Sequence, residues 1–340
     1  MSTAIHDKAA VAAHEEASEE FRALTAGCGI HNLRSRAKIA LRGGDRVRWL
    51  NGMVTNNIRD LAEGHGVYAF LLNPQGHILA DLYTYNRGDS LLVDIDQAQA
   101  EKVLATFDHY IIMDDVEVAD VTEELPALEL IGPKAQEVLH KVEIEFPALE
   151  PLQFGNAKWQ ETAVTVVRND NPCLPCFELW LAPEHTSSLL DAMVTAGASL
   201  VGDEALDLLR ISCGIPRYGQ DIRERDLPQE TGQERALNFS KGCYIGQEIV
   251  ERIRSRGAVH RNFTGFKVES ALPPLGAKIQ SDGKDVGEIT STAALPAAAG
   301  EMQVALGYLR REAALPGKVL QAGGAKLTVV KLPFAEVFPN

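Results

Sequence analysis

Residues Lys241 to Glu248 read KGCYIGQE. A cysteine between two glycines, beside a lysine and a tyrosine, has the company expected of an accessible, activated thiol. Ile245, Ile249 and Ile253 follow at i, i+4 and i+8, so a helix burying that stripe is predicted. Cys243 then stands just before the first turn, where orphan N–H groups and the positive end of the helix dipole favour a thiolate. Lys241 adds to that field and Glu248 opposes it. Gly242 and Gly246 permit close approach of backbone or ligand. A tight turn with steric glycines and a filler cysteine has the same local signature.

Two carboxylates pose a second question. Asp81 lies in ILADLYTY, where alternation places it on one face with Leu79, Tyr83 and Tyr85. Glu178 lies in CFELWL, between Phe177 and Leu179. A carboxylate among apolar side chains is costly without partners. It can take parallel hydrogen bonds from adjacent N–H donors of a flat heterocycle, or act as a base; the alternative for each is a solvated strand face. Arg252, Arg254, Arg256, His260 and Arg261 form the clearest cationic run, suited to a carboxylate, a phosphate or a tRNA backbone, or to a solvated helix face. Cys173 and Cys176 form a CxxC in a proline-containing loop. A zinc or cluster site needs a second pair, which the sequence lacks, so no metal is expected there; the spacing reads as an accident of the loop, with a minor redox role left to the pair.

The elements that must position these groups are legible as runs. Residues 37–48 read as a strand turning at Gly43-Gly44 into a helix. VYAFLL, ILADLYTY and LLVDI, separated by turn residues, read as an antiparallel meander. A second unit follows the order strand, helix, strand, strand, helix, which predicts a ferredoxin-like α+β layer. DEALDLLRIS (203–212) is a helix with Asp203 as its cap, stopped by Gly214. From about Asn262 short strands return, with hairpin turns at Asp282-Gly283 and Gly323-Gly324, as in a small β-barrel. The fold class expected is α+β and multi-domain. Residues 1–24 would be a tail and surface helix, 123–202 the ferredoxin-like domain and 261–340 the barrel.

Composition bounds the function. With 340 residues the chain exceeds one ordinary core. A net charge of −14 argues against a generally basic nucleic-acid binder. No apolar run reaches the ~18 residues of a membrane span. The start lacks a cationic region and an apolar core, so it does not read as a secretory signal. Five cysteines, an odd count, fit a reducing cytoplasm better than a disulfide framework.

KGCYIGQE resembles the signature of the YgfZ branch of the folate-dependent aminomethyltransferase (glycine-cleavage T-protein) superfamily, K-G-C-Y-x-G-Q-E/D. Lys241, Gly242, Cys243, Tyr244, Gly246, Gln247 and Glu248 match it. Thr55-Asn56-Asn57, GHILADLYTY, RISCGIPRYGQDI (210–222), Leu227 to Glu230, VGEITST and ALGYLRR fit in order, so the resemblance spans roughly 25–335. It implies a T-protein-like fold around a central cavity, with residues 25–122 plus 203–260 as a discontinuous folate-binding domain and tetrahydrofolate or a one-carbon derivative as ligand. It further implies a role in iron–sulfur cluster assembly or repair and, through client enzymes, in tRNA modification. In the superfamily an acid matching Asp81 contacts the folate near its reactive nitrogens, and a glutamate matching Glu178 holds the pteridine. In this branch the cysteine matching Cys243 is functionally necessary. Asn56, Lys241, Tyr244, Gln247 and Arg252 are the further ligand contacts expected, the segment 241–256 flanking the anionic tail. Three positions depart from the T-protein: it has paired acids at Ala80-Asp81, an arginine where Leu206 stands, and no cysteine matching Cys243. The expectation is a cytoplasmic folate-binding protein with cluster enzymes or assembly proteins as partners, a weak tRNA contact and no membrane. The rivals are a folate-dependent aminomethyltransferase or demethylase, and a non-folate scaffold binding tRNA or a cluster carrier.

Overall fold

A computed structural model describes residues 15–338 apart from 258 and 299. Residues 15–26 form helix α1, whose Phe21 and Leu24 are buried in a core shared with the barrel. The segment expected as a surface helix is therefore a core element over these residues. Residues 1–14 lie outside the described residues.

The first sheet has the order β3-β4-β5-β2-β6, from β2 (Arg36–Arg42), β3 (Gly66–Leu72), β4 (Ile78–Asn86), β5 (Leu91–Asp96) and β6 (Glu117–Asp120). Its strands alternate cleanly. Ile39, Leu41, Ala80, Leu82, Leu91 and Val93 pack on one face under α2 (Arg46–Met53) and α3 (Ala100–Tyr110). The intervening residues Lys38, Ala40, Asp81, Tyr83, Tyr85, Leu92 and Asp94 must point the other way.

The second sheet has the order β11-β1-β7-β10-β9-β8. Its strands are β1 (Gly29–Asn32), β7 (Ala127–Ile131), β8 (Phe154–Trp159), β9 (Thr162–Arg168), β10 (Cys176–Trp180) and β11 (Ser199–Leu200). α4 (Ala135–Lys141) and α5 (Pro183–Thr195) cover one face, burying Ile30, Leu128, Leu130, Phe177 and Leu179. Alternation turns Glu129, Cys176, Glu178 and Trp180 to the opposite face. β1 pairs with β7 from Gly29↔Ile131 to Asn32↔Leu128, so residues 29–32 belong to this sheet and not to the first unit. β8 is a strand the sequence patterning does not announce, since Gly155 and Asn156 are poor strand formers.

The two sheets meet through their uncovered faces. Ala40, Tyr85 and Leu92 of the first pack against Ala127, Val167 and Trp180 of the second. α6 (Asp203–Cys213) closes the side of this sandwich. Its N-cap is Gly202 with no side-chain cap bond, so Asp203 is the first helical residue and not the cap. Gly214 ends it in the left-handed region at φ 71°.

The C-terminal unit is a closed barrel ordered β12-β15-β14-β13-β16-β17. The strands are β12 (Arg261–Glu269), β13 (Lys278–Ser281), β14 (Lys284–Ala297), β15 (Gly300–Arg310), β16 (Val319–Ala322) and β17 (Ala325–Val330). Ser281 pairs with Lys284 and Ala322 with Ala325, which places the two Gly-containing hairpins where their turn chemistry predicts. The barrel is keyed to α6 by buried polar groups. Arg210 meets Asp221 at 2.7 Å and Ser291 at 3.1 Å, and the Ser291 hydroxyl donates to Asp221 at 2.7 Å. The RISCGIPRYGQDI and VGEITST segments thus form one joint. Among the described residues no helix is long and apolar enough to cross a membrane.

Candidate functional site

The uncovered faces of the two sheets do not seal completely. Between them and α6 lies a cavity of about 470 Å³, within the usual size of a cofactor site. Asp81, Tyr83, Tyr68, Arg36 and Gln99 line it from the first sheet and its flank, Glu129 and Glu178 from the second, and Leu206, Leu209 and Arg210 from α6. Asp81 and Glu178, distant in sequence, therefore face one space.

Asp81 accepts hydrogen bonds from the Tyr68 hydroxyl at 3.0 Å and the Gln99 amide at 3.4 Å. The Gln99 carbonyl oxygen beside it is buried without a partner. Glu178 is 6% exposed and accepts from Trp180 Nε1 at 2.9 Å and from Asn169 at 3.4 Å. Burial, with Asp94 nearby, raises its pKa above the ordinary glutamate value. Glu129 sits directly across from Glu178 in the β7–β10 register. Burial, reinforced by the Glu178 charge, pushes its carboxyl up to about 7. The floor thus offers two adjacent carboxyls, one easily protonated.

Cations balance this acidity. Arg36 and Lys38 both hold Asp94, at 2.6 and 3.0 Å, and keep it below the usual carboxylate range although burial pushes it up. Arg235 stacks over the Tyr68 ring at 4.3 Å and pairs with Asp170. Asp170 also accepts from the Tyr83 hydroxyl at 3.1 Å. Arg210 and Arg217 share Asp207, at 2.6 and 2.7 Å. Glu129 carries a legible signal, an acid between leucines in a strand, like Asp81 and Glu178. Arg235 carries none: only the tertiary fold brings an arginine of the short 3-10 turn Glu234–Ala236 onto two tyrosines.

The other expected contacts lie elsewhere, and each has a physical reason. Asn56 spends its amide on the carbonyls of Tyr68 at 2.8 Å and Arg235 at 2.7 Å. It positions Arg235 and is not itself a lining residue. Lys241 is 3% exposed; its ammonium donates to the Asn51 carbonyl and to Val54 at 2.7 Å, satisfying the last carbonyls of α2. Burial, with Arg59 nearby, lowers it to about 7. Its amine therefore serves the fold and not a ligand or the thiol field. Tyr244 is buried in a cluster with Phe70, Ile222 and Val250. Gln247 and Arg252 sit on α7 (Gln247–Arg256) and do not line the cavity.

Cys243 is exposed, four residues ahead of α7, and does not line the cavity either. Lys241 and the Ile245 N–H, which donates to Gly52 at 3.1 Å, anchor the motif to α2. Gly246 anchors its other end. It adopts φ 80°, and a Cβ there would come within 2.6 Å of the Asn73 carbonyl in the β3–β4 turn. The motif is therefore clamped to the β3 edge of the first sheet. Val250, and not the isoleucine stripe, is the fully buried α7 residue in that contact. The cationic run also disperses. Arg261 binds Asp226 at 2.6 Å and Glu230 at 2.9 Å, and Arg254 pairs with Glu251 at 3.5 Å over Phe239. Among the described residues no set of three His, Cys, Asp or Glu side chains is placed to hold a metal ion.

Known proteins share this fold. The GCVT N-terminal domain model matches residues 6–241, and the CAF17 C-terminal beta-barrel domain model matches residues 261–336. The aminomethyltransferase of Rubrobacter xylanophilus is 31% identical over 279 residues, 80% of this chain and 74% of that protein. That of Halothermothrix orenii is 28% identical over 331 residues, 93% and 90% of the two chains. The crystal structure of glycine cleavage system aminomethyltransferase T from Bartonella henselae superposes with a TM-score of 0.85 at 22% identity, covering 95% of this chain and 90% of that one. The chain belongs to the GCVT N-terminal domain family of aminomethyltransferase-like proteins, in its YgfZ-type branch with a CAF17 C-terminal barrel.

Proposed function

We propose that the cavity binds tetrahydrofolate or a one-carbon derivative, and that the protein supports iron–sulfur cluster assembly or repair and thereby tRNA modification. The observation that carries the ligand assignment is the convergence of Asp81 and Glu178 from facing sheets on one aromatic-lined cavity. The residues present suit a reduced pterin. Glu178 would accept from adjacent ring N–H groups, and a protonated Glu129 would donate beside it. The unpartnered Gln99 oxygen adds an acceptor near Asp81. Tyr68 and Tyr83 offer apolar faces, and Arg235 at the cavity edge suits an anionic tail better than the dispersed α7 arginines. When bound, the folate would supply a carrier nitrogen for one-carbon chemistry.

The cluster role rests on the KGCYIGQE signature with its exposed thiol and on the CAF17-type barrel. The thiol and the cavity are separate features of the fold, so their functions should separate. Titration calorimetry with reduced folates should show Asp81→Asn weakening binding by tenfold or more and Cys243→Ala leaving it unchanged. Cys243→Ala should lower cluster-enzyme activity in cells. An Asp81→Asn affinity equal to wild type would remove the ligand assignment.

A folate-dependent one-carbon transferase is favoured instead by the position of Asp81 inside the cavity and of Cys243 outside it. That reading requires turnover in vitro that depends on Asp81 and ignores Cys243.

A further inference from the structure

We propose that Cys173 and Cys213, not the sequence-adjacent Cys173 and Cys176, are a reversible thiol–disulfide pair that fastens the loop 169–175 to the end of α6. The CxxC spacing is misleading because its members point to different places. Cys176 begins β10, is buried, and donates to Glu129 at 3.0 Å on the inter-sheet face. Cys173 stays in the loop, partly exposed.

One side chain gathers the true pair. The Asn171 carbonyl oxygen accepts from the backbone N–H groups of Cys173 at 2.9 Å and Leu174 at 3.1 Å, and the Cys213 thiol approaches it at 3.7 Å. One oxygen thus gathers the Cys173 backbone and the Cys213 thiol, within the apolar cluster that holds both cysteines. Cys213 also lines a second cavity of about 310 Å³, with Pro172, Gly214 and Arg235 on its walls. A small reagent therefore reaches Cys213 through this cavity, and Cys173 from its own partly exposed side.

The chemistry suits a low-molecular-weight disulfide, RSSR. The Cys173 thiolate attacks one sulfur, the RS–SR bond breaks, and RS⁻ leaves with the proton that Cys173 gave up. Cys213 then attacks the Cys173 sulfur of the mixed disulfide, its own proton leaving with the second RSH. The protein loses two electrons and two protons, and RSSR becomes two RSH. The order of attack follows from the surroundings: the Cys213 hydrogen bond lowers the Cys173 thiol, whereas burial and then Cys173 raise the Cys213 thiol.

Closure would act on the large cavity. Asn169 and Asn171 of the loop and Leu206, Leu209 and Arg210 of α6 line it, and Asp170 holds Arg235. A covalent link between these two walls would fix their spacing whatever ligand the cavity takes.

The test uses the full chain carrying Cys243→Ser, which removes the exposed thiol, incubated with glutathione disulfide, alkylated and mapped by peptide mass spectrometry. The expected result is loss of two thiols per chain, a Cys173–Cys213 cross-link reversed by dithiothreitol, and a higher melting temperature in the oxidised form. Adding Cys213→Ala should stop the reaction at a mixed glutathione disulfide on Cys173, and adding Cys176→Ala should leave the cross-link intact. A Cys173–Cys176 linkage, a mixed disulfide that persists with Cys213 present, or no loss of thiols would overturn the proposal. None of these readouts depends on folate binding.

Discussion

Replacing Glu178 by glutamine changes charge and little else, which makes it the sharpest probe of the cavity. The glutamine carbonyl keeps the acceptor for Trp180 Nε1, now bonded at 2.9 Å, so the local packing has no reason to move. The variant also removes a buried anion whose ionised form burial disfavours. The fold should therefore be as stable as wild type or slightly more so. Ligand binding should behave differently. A hydrogen bond to a charged group contributes about 1.5–3 kcal/mol, and Glu178→Gln exchanges one charged acceptor for an amide donor facing the N–H groups of a pterin. The loss should be about 3 kcal/mol, or roughly 100-fold in Kd. Quenching of Trp180 fluorescence by reduced folates, with calorimetry as the second method, measures it; differential scanning calorimetry supplies the stability control. An unchanged Kd with an unchanged melting temperature would refute the assignment of Glu178 to the ligand.

Other consequences are equally specific. Lys241→Ala should destabilise the protein by about 2–4 kcal/mol, because it strands the Asn51 and Val54 carbonyls of α2, while leaving folate affinity within twofold; denaturant unfolding and titration separate the two effects. Asn56→Ala should release the Arg235 backbone and weaken folate binding about tenfold with a stability loss of about 1–3 kcal/mol, and equal affinity would show that Arg235 needs no such support. Glu129 governs pH. Its folded pKa, about 7 against an ordinary 4.5, is raised, so the stability it contributes is complete below 4.5 and lost as pH rises through 7. Melting temperature should fall between pH 5 and pH 8, and Glu129→Gln should remove about 1–3 kcal/mol of that slope; a variant with the wild-type pH profile would exclude this carboxyl as the cause.

The parts of this molecule that alternation controls were legible in the sequence. Strand period two puts Asp81 with Tyr83, and it is the same rule that turns Glu178 away from the α5-covered core. Glu129 obeyed that rule too, and only its cross-strand pairing with Glu178 makes it noteworthy. What the sequence hid is tertiary. A lysine beside a cysteine reads as electrostatic activation until α2 presents carbonyls that need donors. An arginine run reads as a binding surface until Asp226 and Glu230 take Arg261. The CxxC reads as a pair by spacing, whereas β10 turns Cys176 toward Glu129, and Asn171 gathers the Cys173 backbone with the Cys213 thiol. The four-residue strand 29–32 is too short to declare its sheet, and long-range pairing with β7 decides it.

We propose a reduced pterin between the two sheets, gripped by acids from both. A crystal structure of the full chain with bound 5-formyltetrahydrofolate tests it most directly. The ring should lie in the cavity with Glu178 on its N–H edge, Asp81 within hydrogen-bonding reach and the anionic tail toward Arg235. A ring bound at the Cys243 edge of the first sheet, or an empty cavity at saturating ligand, would contradict it.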